Sequence, residues 1–271
     1  MILITSDNSL RPYLPNALKT VAGEMSFFEK LTPDLESSEL WFATNFVAPD
    51  SLQENPQATA LARQIVVDEA LLRAVPQLDL ILTPNGFGIV SNQNVVPASK
   101  DRVERLLVSL ELDRDKNILQ LLPLLPSVAG WENTIQGHFF GATLFPFLDI
   151  APLLGHREHF WAVYQQYRPR LIEMEQELAE KFISTPLYER LRLAYLRSIF
   201  TLLEADLINR LRAVELSLLR GERLNIPELR SMVELIRTNP EEFPEWTSST
   251  TAVLYTNHSF HNKKQSGGYW F

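Results

Sequence analysis

Apolar positions along this chain recur mostly at steps of three and four, the period of one helical face. The longest such run is Pro186 to Arg220, 35 residues with no internal Gly and no Pro beyond the first position. Its stripe is Leu196, Phe200, Leu203, Leu207, Leu211, Val214 and Leu218. Ser184-Thr185-Pro186 suits a helix start and Gly221 a helix end. The pattern predicts one uninterrupted helix, roughly 50 Å long at 1.5 Å per residue. Phe160, Tyr164, Tyr167, Leu171, Met174, Leu178 and Phe182 mark the helix before it, with a kink expected at Pro169. The short link at Ser184-Thr185 folds the two into a long antiparallel pair.

Upstream, Phe27, Phe28, Leu31, Leu35 and Leu40 read as a helix interrupted near Pro33. Asn55-Pro56 opens another that Pro76 ends, and Ser99 caps a third from Lys100 to about Leu112. Ile226-Pro227 opens a further helix that stops at Asn239-Pro240. Two stretches read as strand instead. Leu78, Leu80 and Leu82 alternate with Asp79 and Ile81, and Asn85-Gly86 then precedes Phe87-Gly88-Ile89-Val90, a strong hairpin cue. Ala252-Val253-Leu254-Tyr255 and the end of the chain at Tyr269, Trp270 and Phe271 read as a C-terminal β element.

The expected fold class is therefore mainly α with a small β component (α+β). It has a long antiparallel helix pair, a central β-hairpin and a C-terminal β element. Residues 117–155 are less regular, and a boundary is expected near Gly155. That divides the chain into a helical subdomain, 1–150, with the hairpin near 78–96, and a long-helix subdomain, 151–271, with a β tail.

Composition narrows the function classes. At 271 residues, 45% hydrophobic and 21% charged, the chain is ordinary for a soluble protein. The absence of Cys excludes thiolate nucleophiles, disulfides and thiolate metal sites, and fits a reducing compartment. MILITSDNSL has no basic region and no long apolar core, so a secretory signal is not expected and a cytoplasmic location is. Phe139 to Leu154 is apolar, but Gly141, Pro146, Asp149 and Pro152 interrupt it. It is also shorter than the ~20 residues of a spanning helix, so no membrane span is expected. The net charge is −8; residues 1–150 carry 10 Lys/Arg against 18 Asp/Glu, and residues 151–271 carry 15 against 15. That balance argues against a nucleic-acid partner.

Three constellations carry candidate chemistry. His156-Arg157-Glu158-His159 places two imidazoles three apart around a carboxylate, which suggests a metal-dependent enzyme with His156 and His159 as ligands. The spacing departs from the zinc-protease helix motif, and no third ligand follows, so the expectation is no cofactor and no catalytic residue. Arg190, Arg197 and Arg212, with Arg168 and Arg170, could form a phosphate-facing stripe; the interspersed Glu173, Glu175, Glu177, Glu189, Glu204 and Glu215 favour a charge-laced helix surface. The third pair of features is apolar: Asn85, Gly86 and Phe87 at the hairpin tip, and Tyr269, Trp270 and Phe271 at the tail. These are the candidate contacts with another protein subunit.

MILITSDNSLRPYLP, SFFEKLTPDLESSELWF and above all DLILTPNGFGIVSNQNVVPASKDRVERL resemble an uncharacterised protein family of phages and prophages of gut anaerobes. The most specific part of the resemblance is Leu82 to Leu106. It implies a structural or assembly role in the virion, at the head–tail junction, with the same chain or other virion proteins as partners. The leading expectation is a non-enzymatic interaction protein. A metal-dependent enzyme and an Arg-stripe nucleic-acid binder are the alternatives.

Overall fold

The computed structural model describes residues 2–14, 25–77, 80–83, 86–89 and 99–255. Its helices are α1 (Asp7–Leu10), α2 (Phe27–Asn45), α3 (Pro56–Ala74), α4 (Lys100–Leu121), α5 (Ile135–Phe140) and α6 (Ile150–Leu153). There follow α7 (Phe160–Leu178), α8 (Thr185–Arg197), α9 (Leu202–Leu219), α10 (Ile226–Thr238), α11 (Pro244–Thr247) and α12 (Thr250–Val253). A π turn, Ala179–Ile183, joins α7 to α8.

Local chemistry fixes most of the helix starts. Ser26 and Glu29 form a capping box at α2, Asn55 accepts from Ala58 N at α3, and Asn225 accepts from Glu228 N at α10. Pro33 sits inside α2 without ending it, so the interruption expected there does not occur. α3 buries Ala58, Ala62, Ile65, Val66, Val67, Ala70, Leu71 and Ala74, more than one face of a helix. It is accordingly flanked on both sides, by α2 and by α4.

An aromatic cluster ties these helices to the rest of the chain. Trp131 Nε1 donates to Phe46 O at 2.7 Å. The Phe46 ring lies 5.0 Å from Trp161 and 5.9 Å from Phe140, centroid to centroid. One core runs from Leu3 through α2–α4 and the 121–151 segment to the first half of α7. A second is built from the end of α7 with α8, α9 and α10. The two interlock: Leu196 and Leu219 lie in the first core, and Leu144 in the second.

The fold is all-α, which overturns the α+β expectation. The strands Leu80–Thr83 and Gly86–Ile89 pair antiparallel with Leu82 opposite Phe87, and they are all the strand pairing among the described residues. A two-stranded ribbon makes no layer of a fold. The C-terminal β element is overturned too. Ser249 accepts from Ala252 N, and Thr250–Val253 turns as helix where a strand was expected. Asn85 and residues 256–271, with Tyr269, Trp270 and Phe271, lie outside the described residues.

The long helix is also corrected. It is two helices, α8 and α9, parted at Ser198–Thr201. Ser198 adopts φ 55°, Ile199 N bonds back to Ala194 O at 3.0 Å and Ser198 N to Tyr195 O at 3.1 Å. That is a Schellman end with serine in the left-handed position. Thr201 then accepts from Glu204 N while the Glu204 carboxylate accepts from Thr201 N at 2.8 Å, a new capping box.

Candidate functional site

A cleft of about 460 Å³ opens between α5, with the turn before it, and α8. Glu132, Asn133, Gly137, His138 and Gly141 form one wall; Glu189, Arg192, Leu193, Leu196 and Arg197 form the other. The first wall exists because α5 is drawn tightly onto the turn at Trp131. A Cβ on Gly137 would lie 2.3 Å from Trp131 O, so only glycine permits the approach. The walls are clasped where Arg197 Nε donates to Glu132 Oε2 at 2.6 Å. Ile135 and Ile199, three and two residues after the clasped Glu132 and Arg197, are both exposed.

Behind the cleft lies a buried ionic network. Arg192 Nε donates to Glu175 Oε2 at 2.6 Å, and Leu144 N donates to Glu175 Oε1 at 2.7 Å. Tyr188 OH donates to Glu215 Oε1 at 2.5 Å. Glu175 and Glu215 are both fully buried. Burial pushes the Glu175 carboxyl up to about 6 against the pull of Arg192. Burial, then repulsion from Glu175, pushes Glu215 well above the ordinary carboxylate range. Beside it Arg212 pairs with Asp149 and lies 4.4 Å over the Phe145 ring.

Arg192 connects the two parts. Its side chain is 16% exposed, lines the cleft and lies 5.0 Å over the Tyr188 ring. Only its Nε is engaged; its terminal nitrogens have no hydrogen-bond partner among the described residues. Arg192 pairs with Glu175, and Arg212 with Asp149.

The residues singled out from the sequence fall elsewhere. His159 is the N-cap of α7 at φ 59°, its Nδ1 is 2.8 Å from Glu111 Oε2, and that hydrogen bond pushes the imidazole up. His156 turns its ring toward Tyr167, 6.3 Å away. Among the described residues no three His, Asp or Glu side chains gather as metal ligands. Gly86 and Phe87 open the second strand of the ribbon. The arginine stripe is engaged within the chain. Arg190 pairs with Glu204 and Glu245, Arg197 with Glu132, and Arg212 with Asp149; Arg168 and Arg170 donate to Phe139 O and Leu218 O. No helix among the described residues is long and apolar enough to cross a membrane.

Glu175 and Glu215, taken from the sequence as surface charge, are the missed residues. A signal was there: Glu175 stands four after Leu171, and Glu215 four after Leu211, each on a buried stripe.

Residues 15–141 match a family of unknown function, DUF6712. No curated protein and no solved structure matches the chain. The DUF6712 match takes in α2 to α5 and so includes the wall of the cleft at Glu132 to Gly141, while the α8 wall lies beyond it.

Proposed function

We propose that the chain is a non-enzymatic interaction protein that binds another protein subunit, in the first instance a second copy of itself, at the break between α8 and α9. The observation that carries this reading is the exposure of apolar side chains there. Leu202 is 91% exposed and Ile199 74%. Phe200 and Leu193 add further exposed apolar area. Single exposed leucines are ordinary, but apolar side chains gathered at one helix junction mark contact surfaces. The internal pairing of Arg190, Arg197 and Arg212 weighs against a phosphate backbone as the partner. The finer reading, a virion-assembly component at the head–tail junction, rests on the resemblance carried by Leu82 to Leu106.

Light scattering behind size exclusion, over a wide concentration range, tests it. A discrete oligomer that reverts to monomer in the Ile199→Glu/Leu202→Glu variant is expected. A strict monomer at high concentration would remove the second copy as the partner.

A further inference from the structure

The open edge of Arg192 points to a function for the cleft that does not depend on the subunit reading. A guanidinium offers a planar fork suited to carboxylates. Here one side of the fork is fixed by Glu175, and Arg192, 16% exposed, lines a cleft of about 460 Å³, a volume suited to a small ligand. Gly137, Gly141, Leu193 and Leu196 give the cleft apolar walls beside that charge. We propose that the cleft binds a carboxylate carried on a short apolar stem, held by Arg192, and that binding is accompanied by uptake of one proton at Glu175.

The proton follows from the charges around Glu175. Arg192 and Tyr188 face it from α8, Glu215 from α9, and the Leu144 amide from the preceding loop; Arg212 of α9 acts on Glu215 beside it. An incoming carboxylate competes with Glu175 for the same guanidinium. The fully buried Glu175 cannot turn to water, so it is relieved by protonation, and the Leu144 amide still has its carbonyl oxygen to donate to. The ligand anion then stands beside Arg192 in place of the Glu175 anion. Because Glu175 is already pushed up to about 6, the proton is available near neutral pH. Glu132 is held by Arg197, and Glu189 is exposed, so neither stands at Arg192 as a competing anion.

Calorimetric titration of the full chain with hexanoate, and separately with inorganic phosphate, at pH 5.5, 6.5 and 7.5 decides the matter. The expected result is saturable 1:1 hexanoate binding that weakens on the order of tenfold per pH unit above pH 6, with uptake approaching one proton at pH 7.5 and little at pH 5.5. Phosphate is expected to bind more weakly at every pH. Glu175→Gln should bind hexanoate at pH 7.5 as tightly as the unaltered chain at pH 5.5, with a flat pH profile. Arg192→Lys, which keeps the charge on Glu175 but not the fork, should lose at least tenfold. No saturable binding at pH 5.5 overturns the proposal, as does a pH dependence that survives in Glu175→Gln. Phosphate binding as tight as hexanoate overturns the assignment to carboxylates.

Discussion

At Gly137 an added methyl group would meet Trp131 O at 2.3 Å and Glu132 Cα at 2.6 Å. Both are backbone atoms of a turn whose Trp131 carbonyl also accepts from Thr134 Oγ1 at 2.6 Å, so neither can yield as a side chain tip would. Gly137→Ala should therefore cost on the order of 2–3 kcal/mol, through displacement of α5 from the Trp131 turn. A drop in the urea midpoint at unchanged slope is the expected reading; an unchanged midpoint would show that the turn is free to move. Little of this was legible in the sequence. A glycine next to histidine in a Phe-rich stretch gives no hint of close approach, since the contact comes from how two turns stack. The buried glutamates were only half legible. Their spacing put them on apolar stripes, but a glutamate among arginines reads more readily as surface charge. Only the packing of α7 against α8 and α9 decides which side it faces.

The break between α8 and α9 shows how one local rule overrides a longer pattern. Apolar residues continue in register from Leu196 to Leu218, and that continuity alone predicts a single helix. Yet Thr201-Leu202-Leu203-Glu204 has the threonine and glutamate of a capping box, and the chain uses them to restart. The Glu204 carboxylate also pairs with Arg190 of α8, which fixes the angle between the two helices by an ion pair across the corner. The helix starts at Asn55-Pro56 and Ile226-Pro227 and the ends of α3 and α10 followed the same rules and were legible; the capping box at Ser26 and the cap at Asn225 were not read. The C-terminal segment failed for a related reason: Ala252 and Val253 suit a strand, but Ser249 caps them into a turn of helix. Thr201→Ala removes the side-chain acceptor for Glu204 N and should destabilise by about 1 kcal/mol. In a chain of this length that is a fall of about 2–4 °C in Tm by calorimetry. No fall would mean that packing on Leu207 and Leu211, not the cap, sets where α9 begins.

Across the whole molecule the buried carboxyls make stability depend on pH in an unusual direction. Most folded-state carboxylates are held below their unfolded values, so proteins gain stability as pH rises above 4. Here Asp68, Asp115, Asp149, Glu175 and Glu215 are all pushed up, each first of all by burial. A carboxyl raised in the folded state contributes stability below its unfolded value and loses it as pH climbs toward its folded value. Asp68 gives the clearest case. It is 2% exposed between α3 and α4, accepts from Gln64 Nε2 at 2.7 Å, and its Oδ2 has no hydrogen-bond partner among the described residues. Burial, with Asp113 adding repulsion, pushes it from 3.8 to about 7. Ionising it costs on the order of 4 kcal/mol, lost between about pH 4 and pH 7. Glu175 and Glu215 add to the loss over the upper part of that window, and the net charge of −8 acts in the same direction. Urea unfolding should give a higher midpoint at pH 5 than at pH 7.5. Asp68→Asn keeps the oxygen that Gln64 donates to and removes the ionisation, so it should raise the midpoint at pH 7.5 while leaving that at pH 5 nearly unchanged. The double variant Asp68→Asn/Glu215→Gln should flatten the profile further. A midpoint that rises from pH 5 to pH 7.5 would mean that opening of the structure lets water reach these carboxyls, and that the buried network does not hold its protons.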